Sequence, residues 1–157
     1  MTAPASAPRV GGEMHLYYNS GSYGTPTWVL LDDVGDVEPS DDDTEIEVNL
    51  RGNYPFKTWM RGMTDVSATF QLLYKTGVSD TKFKAIEDAK KNRTTLEFAF
   101  SDALIASEGA KYLRAICEVT KFHRPEPIDG AVIVEVAIKP SVNNGGHKPS
   151  YETTPAP

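Results

Sequence analysis

Three isolated histidines, one cysteine and a run of three aspartates are the side chains from which this sequence could build a reactive or metal-binding site. A zinc site gathers its ligands in close groups. His15, His123 and His147 stand apart, with no HxxxH or CxxC pattern to bring them together. Asp41-Asp42-Asp43 suggests calcium, but DDDTEIEVNLRG read as a calcium loop puts Ile46 at the glycine position and no acid at the last one. That leaves at most a weak surface cation site. Asp32 and Asp33 are adjacent, so on a strand they point to opposite sides and cannot share acid–base work. No GxSxG elbow presents a serine, no GxxxxGK[ST] loop offers a phosphate cradle, and the Gly-Gly pairs at 11–12 and 145–146 fall in terminal stretches. Cys117 lies in the alternating run YLRAICEVT and reads as a small buried hydrophobe rather than a nucleophile. No catalytic, cofactor-binding or metal residue is expected, and an enzyme reading has no support.

The bounds around these residues point elsewhere. The chain of 157 residues is long enough for one domain that buries roughly two-thirds of its unfolded surface. A hydrophobic content of 39% with 10% aromatics suits a globular fold. The opening MTAPASAPRVGG has no apolar stretch, and no run approaches the roughly twenty apolar residues of a membrane span. The expectation is a soluble protein without a membrane partner, made in a reducing cytoplasm. The net charge of −6 is uneven: residues 1–50 carry ten acids against Arg9, whereas residues 51–157 carry fifteen bases against twelve acids. Nine acids fall between Asp32 and Glu47. They form either a solvated loop or a surface that repels polyanions or attracts a basic partner. Stable nucleic-acid binding would need the opposite sign on its main patch.

The hydrophobic pattern supplies the elements. Residues 27–34, 44–50, 66–74, 95–100, 112–122 and 131–139 read as strands, most with alternating apolar residues. Ile46, Val48 and Leu50 share one side of the second, opposite Glu45 and Glu47. Between the third and fourth, Phe83, Ala85, Ile86 and Ala89 draw an apolar stripe at helical spacing. Ser79 or Asp80 suits its start, Asn92 its left-handed exit, and Lys90, Lys91 and Arg93 its negative end. DALIASEGA fits either a short helix or a loop. RPEPIDG is a turn. The order predicts a mainly β fold: an antiparallel β-sandwich or barrel with one flanking α-helix and a long inter-strand loop. Residues 1–13 and 141–157 read as flexible arms around a body spanning 14–140.

The long loop, RGNYPFKTWMRGMTD at 51–65, needs a reason, because hairpin loops usually span two to five residues. One reading folds it back over its own body, with Trp59 and Met60 as core plugs. The other notes that it carries Arg51, Lys57 and Arg61 among Tyr54, Phe56 and Trp59, and that aromatics and arginine are enriched at interface centres. A basic aromatic loop on a chain with an acidic half can dock into the next copy. Asp41, Asp42, Asp43, Glu45 and Glu47 would supply its acidic partner, or line a lumen that repels a phosphate backbone. Contact between unlike patches on identical chains propagates into rings or stacks.

These elements in this order resemble the major tail tube proteins of long-tailed, non-contractile bacteriophages. The resemblance covers residues 27–140, and its most telling parts are TDVSATFQLLY (Thr64–Tyr74), the helix KFKAIEDAKKN and GAKYLR (Gly109–Arg114). It implies a β-sandwich with one flanking helix, hexameric rings stacked into a tube, and a long loop reaching the adjacent ring. It further implies a structural, non-enzymatic role in the virion tail. DNA would pass during ejection without specific binding, other tail proteins would sit at the ends, and synthesis would occur in the host cytoplasm. The aspartate run and the proline-rich ends depart from that pattern. A tube protein of a contractile or secretion apparatus, and a monomeric sandwich that binds carbohydrate or protein, are the alternative readings.

Overall fold

A computed structural model describes residue 11 and residues 14–74 and 81–156. Eight strands and one helix follow in order: β1 (His15–Asn19), β2 (Trp28–Leu30), β3 (Val34–Glu47), β4 (Trp59–Leu73), α1 (Thr81–Lys91), β5 (Thr95–Ser101), β6 (Lys111–His123), β7 (Ile133–Pro140) and β8 (Ser150–Thr153). All pairs are antiparallel, in the order β2-β1-β5-β6-β7-β4-β3, with β8 added to β6. The mainly β architecture with a single helix is as expected, and it takes the form of one curled sheet, a half-barrel.

The core lies on one side of this sheet. Ala68, Phe70 and Leu72 of β4, Phe98 of β5, Ala115, Cys117 and Val119 of β6, and Val134, Val136 and Ile138 of β7 are all buried there. Their period of two is the pleat of the strands made visible. Phe83, Ile86 and Ala89 of α1 close the layer from above, in agreement with the stripe read from the sequence. Phe83 meets Tyr74 and Phe122 edge-on, with ring centroids 5.2 and 5.9 Å apart. Burial also explains Cys117, whose thiol is pushed up to about 12 because the apolar surroundings penalise a thiolate.

Several boundaries differ from expectation, for physical reasons. The strand expected at 27–34 stops at Leu30, and a new strand starts at Val34 and runs through Pro39 and the aspartates to Glu47. Residues 51–65 are not one loop, because Trp59–Asp65 belong to β4. Pairing overrides weak local preference here: Asp, Gly and Pro are poor strand formers, yet eleven registered partners join β3 to β4. The left-handed exit of α1 falls on Arg93 (φ 56°) rather than Asn92. The N-terminal caps expected at Ser79 and Asp80 lie outside the described residues. DALIASEGA resolves into turns. The C-terminal arm is not wholly separate from the body, since Ser150–Thr153 pairs with Lys111–Arg114.

The opposite side of the sheet holds a second, polar interior. Arg114 and Glu97 are joined through two hydrogen bonds, from Nε at 3.0 Å and a terminal nitrogen at 2.9 Å, with side chains only 8% and 6% exposed. The guanidinium lies 3.8 Å from the Tyr23 ring centroid and also faces Trp28. Asn19 donates to Glu97, and Glu152 of β8 approaches Arg114 at 3.5 Å. His147 stacks on Tyr23. Thus the loop 20–27 and the C-terminal segment roof a buried ion pair whose bonding groups are satisfied, which is the condition for tolerating one.

Candidate assembly surface

β3 and β4 extend together past the end of the body as a hairpin arm. Ala68 and Phe70 sit over the core, opposite Pro39 and Val37. Further out, the pairs Asp43 with Thr64, Ile46 with Met60 and Glu47 with Trp59 have no core beneath them. Residues 48–58 form the tip, where Val48 and Thr58 bond through their backbones at 2.9 Å and Arg51–Asn53 make a short 3-10 turn.

The register fixes what each face carries, because cross-strand partners share a face and successive residues alternate. Val37 and Pro39 belong to the core side. Asp41, Asp43, Glu45 and Glu47 continue that side outward, opposite Val66, Thr64, Arg61 and Trp59. The other side carries Glu38, Ser40 and Asp42, then Ile46 paired with Met60. The switch in β4 occurs where Gly62 and Met63 oppose Thr44, a bulge that lets both runs keep their pairing. Glycine suits this place, since a Cβ on Gly62 would lie 2.6 Å from the Thr44 hydroxyl oxygen.

The arm is therefore striped rather than basic. Its apolar members are open to solvent: Met60 at 55%, Trp59 at 56%, Phe56 at 77%, Met63 at 83% and Tyr54 at 85%. Ile46 and Leu50, expected to share the apolar side of a strand, are also exposed, as they lie beyond the end of the core. Trp59 and Met60 do not plug the body. Leu50, Arg51, Tyr54, Phe56 and Lys57 border an open cleft of about 490 Å³ at the tip.

The charges meet differently from the sequence picture of a basic loop and a distant acidic surface. Lys57 approaches Glu47 and Arg61 approaches Asp43, each at 3.7 Å within the same hairpin. Thr64 also donates to Asp43 at 2.6 Å. Asp42 faces Asp65 directly, a repulsive pair. Asp41 accepts the Tyr151 hydroxyl of β8, and this contact pushes that hydroxyl's pKa up. The candidate acids thus divide, with Asp42 on one side and Asp41, Asp43, Glu45 and Glu47 on the other. Arg51 and the aromatics Tyr54 and Phe56 remain together at the tip. Among the described residues, no three His, Cys, Asp or Glu side chains gather in a way that could hold a metal ion.

The sequence reading missed Arg114, the most enclosed cation described. Its position in the outward-facing register of β6 resembled a solvated site. Its cover, Tyr23, Trp28 and Glu152, comes from segments far away in sequence.

The sequence matches no protein-family profile and no curated relative. Solved structures do match. The SPP1 siphophage tail tube aligns with a TM-score of 0.68 at 18% identity, over 93% of this chain and 81% of that one. A chain from the virion of a native gene transfer agent aligns at 0.67 and 11% identity, over 93% and 100%. A chain from the sheath/tube terminator of an extracellular contractile injection system aligns at 0.57 and 11% identity, over 96% and 100%. A curled antiparallel sheet, one packed helix and an arm continuous with two of the strands give this chain the fold of phage tail tube proteins.

Proposed function

We propose that this chain is a structural subunit that self-assembles, through its arm, into stacked rings forming a phage tail tube. The observation that carries the reading is the exposed apolar arm on a body of tail tube fold. Three largely exposed aromatics, each able to bury up to about 150–250 Å², supply a large part of the roughly 800 Å² a stable interface takes from each partner. Tyr54, Phe56 and Trp59 make the central contacts with the adjacent copy, flanked by Arg51, Lys57 and Arg61. Sixfold rings accord with the C6 symmetry of the gene transfer agent tail. A non-contractile tail is favoured by the TM-score of 0.68 with the SPP1 siphophage tail tube, against 0.57 and 0.55 for the injection-system and anti-feeding-prophage chains.

The sheet also supports a ring. Among the described residues, its end strands β2 and β3 have one edge each unpaired within a single copy. Seven acids on β3 discourage two like edges from meeting, so unlike edges of neighbours pair instead. The side opposite the core, with Ser67, Thr69, Gln71 and Glu135, is largely polar and uncovered by the helix. Facing inward, it lines a channel through which DNA slides without being bound. The chain then resides in the virion tail after synthesis in the host cytoplasm, capped at the ends by other tail proteins. Sedimentation tests the reading: the parent chain forms fast-sedimenting assemblies, and a Tyr54→Ser, Phe56→Ser, Trp59→Ser variant stays single with unchanged melting. Equal assembly by both chains would refute it.

A further inference from the structure

We infer that the arm's acidic side is received by the exposed basic face of α1 on the adjacent copy. This rests on the reading that copies join through the arm, and it names the receptor. Between Asp41 and Asp65 the arm has six acids against three cations, and two of those cations already approach Asp43 and Glu47. Its surplus is negative. Asp41, Asp43, Glu45 and Glu47 lie along one side, and among the described residues the Glu45 side chain makes neither a hydrogen bond nor an ion pair. The receptor must then be positive, the reverse of the sign that the loop residues alone suggest.

The body offers one concentrated set of such charges. Lys84, Lys90 and Lys91 of α1 and Arg93 at its exit are exposed, whereas the helix's acids, Glu87 and Asp88, are half-buried. Lys91 pairs with Glu87 and Lys82 with Asp32, which leaves Lys84, Lys90 and Arg93 without an ion partner among the described residues. Elsewhere, Lys121 is matched by Glu135 and Arg124 by Glu126, and the exposed Lys111, Lys139 and Lys148 stand apart from one another, at the start of β6, near the end of β7 and before β8. The sidedness agrees as well. Helix α1 covers the core side of the sheet, and the acidic row continues that same side along the arm. In a head-to-tail stack every copy turns its core side the same way, so an arm reaches the next helix without turning over. Exposed charge pairs of this kind set register, encounter rate and salt dependence more than bulk affinity.

The test is a charge exchange read by pelleting at low salt. A Lys84→Glu, Lys90→Glu, Arg93→Glu chain should need at least tenfold more protein to assemble, and Glu45→Lys, Glu47→Lys should behave alike. Combining both sets should restore assembly to within about threefold of the parent. Replacing Lys84, Lys90 and Arg93 with Gln should give an intermediate value, with melting unchanged throughout. A helix variant that assembles like its parent overturns the inference and leaves the arm reading intact. So does a combined variant no better than the helix variant alone. Loss of duplex-DNA retention by the helix variant, with assembly unaffected, assigns the helix to nucleic acid and also overturns it. If the unaltered chain never assembles, the arm reading itself falls.

Discussion

The Arg114 cluster and the hairpin arm both depart from the rule that charge lies outside and apolar surface inside, in opposite directions. Under the 20–27 loop, an arginine and a glutamate are buried together, and Asn19, Tyr23 and Glu152 complete their contacts. On the arm, aromatic and aliphatic side chains stand in solvent, and none of the described residues of the same copy covers them. The first departure is resolved inside one chain. The second is not, and on the reading proposed above that difference separates a feature of the fold from one of association. Exposed apolar patches on soluble proteins mark places where something else binds.

The largest effect should come from breaking the resolved departure. Arg114→Met strands Glu97 in a buried site and should cost about 3–5 kcal/mol. In a chain of this size that lowers the melting temperature by roughly 6–20 °C, measurable by calorimetry. Ile46→Ser with Met60→Ser should do the reverse, abolishing assembly while changing the stability of the isolated chain by about 0.5 kcal/mol or less. If the arm instead packed onto its own body, these substitutions would melt the monomer.

Which of these two regions was legible follows from where their contacts lie along the chain. The runs 66–74, 95–100, 112–122 and 131–139 announced themselves, since alternate residues meet one core and the pattern is local. The α1 stripe was equally plain. The outer arm was hidden because Pro39, the aspartates and Gly62 weaken any local strand signal, and only pairing between β3 and β4 makes them strands. β8 was hidden because SYET is short and polar. Arg114 was hidden because its cover, Tyr23 and the segment up to Glu152, is remote in sequence. The aromatic residues at 54, 56 and 59 were identified as candidates from composition, yet the acids that neutralise their neighbouring cations emerged only with the register.

Two smaller measurements sharpen the contrast. The unfolded Cys117 thiol ionises near 9.0, while the folded one holds its proton to about 12. The thiol's contribution is therefore fully present below pH 9 and is lost as pH rises through that window. Cys117→Ala should flatten this part of the alkaline decline, followed by chemical denaturation at successive pH values. Smallest of all, Lys57→Ala removes a solvent-exposed pair with Glu47 and should shift monomer stability by less than about 0.5 kcal/mol.

Electron microscopy of the purified full chain at high concentration tests most directly whether the unresolved departure is an assembly device. Rings or tubes should form, with arm density crossing from each subunit onto the helix side of another. Discrete single particles at every concentration, their arms lying over their own sheets, would contradict the account.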